Sequence, residues 1–123
     1  MRDFRRLTVW AQAHGLTLDV YQATADFPAD EQFGLVVQAR RAAVSVAANI
    51  AEGCGRHSEP DFRRFLTVAM GSASELEYHL LLAYDLRMLG QAEHEKLRAD
   101  VIACKRMLGR LIARIDHGHL LAT

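Results

Sequence analysis

No stretch of this chain alternates apolar and polar residues with a period of two, and its only two prolines, Pro28 and Pro60, each sit near an expected helix start. Half-buried strands need that alternation, so the chain is confined to helices. Helix one is expected to begin between Asp3 and Thr8, either of which can cap it. It carries a seam of Leu7, Ala11, His14, Leu18 and Tyr21 at four–three spacing to about Ala25. Pro28, Asp30 and Glu31 suit the first turn of helix two, which runs to Glu52, where Gly53 and Gly55 offer left-handed backbone as a stop. Ser58 and Asp61 resemble a capping box that starts helix three, with Gly90 ending it near Met88. Helix four has the cleanest seam, Leu97, Val101, Cys104, Leu108, Leu111 and Ile115, closed by Gly118.

Linkers this short force neighbouring helices to run antiparallel, which predicts one up-down-up-down four-helix bundle over residues 1–123. Half of the residues are apolar. A chain of this length buries roughly 65–70% of its unfolded surface, enough for a core without staples. In such a bundle Cys54 and Cys104 stand roughly 18 Å apart, beyond disulfide reach, so both are expected to be reduced and inert. Fifteen basic and fifteen acidic side chains cancel, so no global field announces nucleic acid or a membrane. The N-terminus lacks an apolar leader, and no apolar run approaches the ~18 residues of a membrane span. A soluble cytoplasmic protein without a membrane partner is the expectation.

Some apolar residues are left over. Leu80, Leu81 and Leu82 fan across roughly 200° of helix three, more than one core can cover, and Leu35, Val36 and Val37 do the same on helix two. They are either scattered exposed aliphatics or a second face buried by another subunit.

A polar line crosses helix two: Gln38, Arg41, Ser45, Asn49 and Glu52 lie within an arc of about 80°. Helix three offers a counterpart in Gly71, Ser72 and Glu75, and folding the hairpin about Arg56 makes an Arg41–Glu75 pair plausible. Three readings compete: a structural polar seam, a solvated face and a catalytic site. Small residues at Ala42, Ala48, Gly71 and Ala73 favour the seam, because they let helices approach and semi-bury the polar groups. Catalysis has little to work with. No histidine has a glutamate three positions before it, as di-metal bundles require. His14 lies on the expected core seam and reads as structural, whereas His117 and His119 with Asp116 could hold a metal only loosely at a fraying end. Cys54 follows a helix C-terminus, which disfavours a thiolate. No catalytic residue, cofactor or metal is therefore expected.

The segment FPADEQFGLVVQARRAAVSVAANIAEGCGRHS, with FLTVAMGSASELE and LTVWAQA, resembles a bacterial four-helix-bundle family, some of whose members are encoded in intervening sequences of large-subunit ribosomal RNA genes. The likeness covers nearly the whole chain. It rests chiefly on Gln38, Arg40 to Ala43, Ser45, Asn49 to Gly53, and on Gly71, Ser72 and Glu75 to Glu77. The resemblance implies a left-handed bundle assembled as a homopentameric ring with no enzyme activity. A related branch, the accessory variability protein of diversity-generating retroelements, is strongly basic and engages a reverse transcriptase and nucleic acid; this chain departs from it in its neutral charge.

The zero total conceals an asymmetry. With helices one and three pointing up, the lower end gathers Arg2, Arg5, Arg6, Arg56, Arg63, Arg64, Arg106, Arg110 and Arg114, whereas the upper end is acidic. These arginines, Arg2 apart, form a candidate footprint for RNA or DNA phosphates, sequence-tolerant because aromatics are scarce there, or for a protein partner. Alternatively they pair with nearby acids, Arg63 and Arg64 with Glu59 and Asp61. The sequence thus points to a non-enzymatic homo-oligomeric scaffold or interaction protein, with a nucleic-acid-binding accessory protein as the other reading.

Overall fold

The computed structural model describes residues 2–118, which form four helices: α1 (Thr8–Thr24), α2 (Leu35–Cys54), α3 (Glu59–Asp85) and α4 (Gln91–Asp116), with no strand among the described residues. Each of α1 and α3 packs against both α2 and α4, so the four helices surround one core. Partner order is opposed along every neighbouring pair. Thr17 meets Ala43 while Thr24 meets Arg40; Ser45 meets Ser72 while Gly53 meets Phe62; Glu77 meets Lys105 while Arg63 meets Asp116; and Gln12 meets Asp100 while Asp19 meets Lys96. The core is built from Val20, Val46, Ile50, Phe62, Leu66, Leu76, Leu80, Val101 and Leu108, all essentially inaccessible. Full burial of each such side chain contributes roughly 1.5–3 kcal/mol.

Helix α1 departs from the expected seam. Its buried line is Val9, Ala13, Leu16 and Val20, almost opposite Leu7, Ala11, His14, Leu18 and Tyr21. Leu18 and Tyr21 remain 56% and 43% exposed, and His14 is exposed, stacked on Trp10 with ring centroids 4.8 Å apart, rather than buried as a core histidine. Both lines have four–three spacing, so periodicity could not choose between them. The chosen line also buries Thr17 and Thr24, whose hydroxyls donate to Ala13 O and Val20 O one turn back, at 2.8 and 2.7 Å, and so enter the core satisfied.

Three helix ends also differ from expectation. Residues 29–31 form a separate 3-10 turn after Pro28, and α2 starts only at Leu35, whose N–H donates to the Glu31 carboxylate at 3.2 Å. Helix α2 continues through Gly53, which serves close approach rather than a left-handed stop: a Cβ there would lie 2.9 Å from Phe65 Cβ. Gly55 likewise keeps a right-handed φ of −82°. Helix α3 ends at Asp85, not near Met88, in a Schellman motif with Arg87 left-handed at φ 63°. There Arg87 N–H donates to Tyr84 O and Met88 N–H to Ala83 O. Gly90 instead precedes α4 as its N-cap. The Ser58 cap forms as expected, its Oγ accepting from Asp61 N–H at 3.2 Å.

Candidate assembly faces and basic end

The polar line of α2 divides in two. Ser45, Asn49 and Ser72 are half-buried and bonded to one another. Ser45 Oγ lies 2.7 Å from Ser72 Oγ across the α2–α3 seam, and Asn49 Nδ2 donates to Ser45 O at 2.8 Å and to Ser45 Oγ at 3.0 Å. Gln38, Arg41, Glu52 and Glu75 face solvent. The expected Arg41–Glu75 pair does not form: Glu75 is engaged by His79 at 3.0 Å, one turn along its own helix, and Glu52 by Arg56 at 2.9 Å. Local partners at i and i+4 satisfy both acids without the cost of ordering long side chains across a seam. Arg41 instead lines a groove on the other flank of α2.

That groove lies between α1 and the outer side of α2. Its volume is about 520 Å³, and Tyr21, Val37, Val44, Arg40, Arg41 and Ser45 line it. Arg40 sets its geometry. The guanidinium donates from Nε to Thr24 Oγ1 at 2.9 Å and from Nη2 to Tyr21 O at 3.1 Å, and lies 4.5 Å from the centroid of the Tyr21 ring. It thereby satisfies a carbonyl near the C-terminus of α1 and holds Tyr21 against the groove wall. Arg40 stands about 100° from Arg41 around α2, outside the polar line, and reaches α1. The available signal was its place beside Arg41 on a helix otherwise nearly free of charge.

A second apolar surface lies on the α3–α4 side, where Tyr78 is 59% and Leu81 45% exposed. They border a hollow of about 270 Å³ with Ser74, Glu77, His94, Arg98 and Lys105. Of the surplus triplets, Leu80, Leu35 and Val36 enter the core, Leu82 and Val37 are half-buried, and Leu81 faces out. At the loop before α2, Phe33 is 95% exposed.

The eight arginines of the lower end also separate into two sets. Arg63 grips Asp116 with both prongs, at 2.6 and 3.1 Å, and this bond holds the Asp116 carboxyl below its ordinary pKa. Arg64 pairs with Asp61, Arg56 with Glu52 and Arg5 with Asp3. The expectation that Glu59 serves Arg63 or Arg64 is corrected: Glu59 binds Arg2, which reaches over the Phe62 ring. Arg6, Arg106, Arg110 and Arg114 make no ion pair among the described residues. Three of these four line a cleft of about 320 Å³ between the start of α1 and the end of α4.

Cys54 and Cys104 are free and buried. Burial raises both thiols, that of Cys104 to about 11. No three His, Cys, Asp or Glu side chains among the described residues stand close enough to hold a metal ion; His119, weighed above with His117, lies outside those residues. No helix among them is long and apolar enough to cross a membrane.

The model of one family, described as 23S rRNA-intervening sequence protein, matches residues 5–110. A solved structure is similar in fold: a protein of unknown function from the S23 ribosomal protein family of Bacteroides thetaiotaomicron. It is 23% identical with a TM-score of 0.78, and the match covers 85% of this chain and 98% of that one. Among proteins of curated function, none matches the chain.

Proposed function

Because the chain belongs to the 23S rRNA-intervening sequence protein family, we propose that it is a non-enzymatic scaffold, an antiparallel up-down-up-down bundle that self-assembles into a ring. The observation that carries this reading is the presence of two unlike apolar faces on opposite sides of one bundle. The α1–α2 groove presents Tyr21, Val37 and Val44, and the α3–α4 side presents Tyr78 and Leu81. Two different patches on opposite sides pair head to tail. Such contacts close into a ring when the rotation between copies allows it. The opposed partner order supports the antiparallel arrangement, and the family resemblance points to five copies. The α2–α3 seam, closed by Ser45, Asn49 and Ser72, is then internal to each subunit and keeps the two outer faces in register.

Light scattering tests the reading. The protein should have a mass about five times the 13.8 kDa of one chain. Val44→Glu and Leu81→Glu should each give monomers that keep their helicity. Mixed, the two variants should form a dimer through the one interface that both leave intact, the α3–α4 face of Val44→Glu against the α1–α2 face of Leu81→Glu. A parent protein that stays monomeric at micromolar concentration overturns the proposal.

A further inference from the structure

We propose that the cleft between the first turn of α1 and the last turns of α4 is a phosphate-binding site, which takes the backbone phosphates of a nucleic-acid strand through Arg6, Arg110 and Arg114. The cleft holds about 320 Å³ and no acidic side chain lines it among the described residues. The acids at this end pair with other arginines: Asp116 with Arg63, Asp3 with Arg5, Glu59 with Arg2, Glu52 with Arg56 and Asp61 with Arg64. Three guanidiniums therefore face one concavity without a carboxylate among them. Their mutual repulsion is relieved by an oxyanion, and guanidinium matches phosphate with paired, parallel N–H donors.

The two walls come from different elements. Arg6 belongs to the 3-10 turn before α1, while Arg110 and Arg114 are one turn apart on α4, so a bound phosphate is gripped from both sides. Apolar Met107 and Leu111 line the same cleft and keep competing water from part of it. Thr8 opens α1 at the rim, and the N-cap Leu7 offers its first N–H groups no side-chain acceptor, so the positive end of α1 adds to the arginine field.

The ligand is argued to be a strand rather than a lone ion from the row that continues out of the cleft. Arg106, Arg110 and Arg114 follow at four-residue steps on α4, about 6 Å apart along the axis, and none has an ion-pair partner among the described residues. A row of cations tracks a polyanion, whereas a free phosphate would use only one or two of them. No aromatic side chain among the described residues lines the cleft, so the contact reads the backbone and not the bases.

The experiment uses the full chain and matched charge removals. Binding of a fluorescent single-stranded RNA, measured by anisotropy at ~50 mM salt, is compared among the parent, Arg110→Gln/Arg114→Gln, and the control Arg5→Gln/Arg64→Gln, with helicity checked for each. All four residues are exposed, so both pairs should stay folded. The cleft variant should lose roughly tenfold affinity per guanidinium, and its log–log salt slope should flatten by about 1.4. The control should stay within about twofold of the parent. Isothermal titration with inorganic phosphate is the second arm. Heat of binding to phosphate that disappears in the cleft variant, without RNA binding, keeps the phosphate site and makes its source a free ion. Equal losses in both variants, or binding of neither RNA nor phosphate by the parent, overturn the proposal.

Discussion

The two flanks of α2 solve opposite packing problems. Toward α3, Gly53 lets the helix approach Phe62 and Phe65 so closely that no Cβ fits, and the polar groups that remain, Ser45, Asn49 and Ser72, satisfy one another. Toward α1 the helices part on the outside, and the resulting groove displays Tyr21, Val37 and Val44 with Arg40 holding the wall. One flank is complete within a single chain. The other leaves apolar surface open to solvent, so a change on the first flank should be felt as stability and, in the proposed assembly, a change on the second as association.

The contrast is tested most severely by Phe62→Ala, which empties the fully buried centre of the closed flank and should cost about 3–5 kcal/mol in denaturant unfolding. A loss under ~1 kcal/mol would mean that the seam collapses easily and is not tightly packed. The core can also be opened by pH. Cys104 is raised from an ordinary 9.0 to about 11 by burial. Its proton is bound more tightly in the folded chain, so its contribution is fully present below pH 9 and is lost as pH rises toward 11. Chemical denaturation across that window should show a decline of roughly 2 kcal/mol that Cys104→Val removes. A variant with the parent's slope would place the titration elsewhere.

A smaller effect separates the two halves of the polar line. Asn49→Ala breaks the half-buried Ser45–Ser72 cluster and should lower stability by about 1 kcal/mol, whereas Glu75→Ala, on the solvent side, should stay within ~0.5 kcal/mol. Equal melting of both would erase the division. Smallest of all in unfolding is Val44→Ser on the open flank, expected to change the stability of the isolated subunit by less than ~0.5 kcal/mol. The same change should shift the assembly midpoint in analytical ultracentrifugation. A substantial loss of subunit stability with unchanged association would reverse the assignment of the two flanks.

Much of the fold was legible before any coordinates. The seam Leu97, Val101, Cys104, Leu108 and Leu111 is buried as its spacing implies, because α4 carries a single apolar line and so has only one phase to choose. The Ser58 cap was legible for a similar reason, its hydrogen bond closing within three residues. Helix α1 was not, since Leu7–Leu18–Tyr21 and Val9–Leu16–Val20 have the same period. Of the candidate site residues, Ser45, Asn49 and Ser72 do meet, while Arg41 and Glu75 do not, and the basic end splits into committed and uncommitted arginines.

The sequence by itself determined what is local: helix content, the number of helices, the Ser58 start and the polar line on α2. These depend on hydrogen bonds and periodicities that span only a few residues. Tertiary structure alone decided which of two apolar lines on α1 is core, that Gly53 is a contact and not a stop, and that Asp116 pairs with Arg63 while Arg110 and Arg114 have no carboxylate partner among the described residues. Each of those choices compares partners more than ten residues apart, and spacing along one helix holds no information about what faces it from the next.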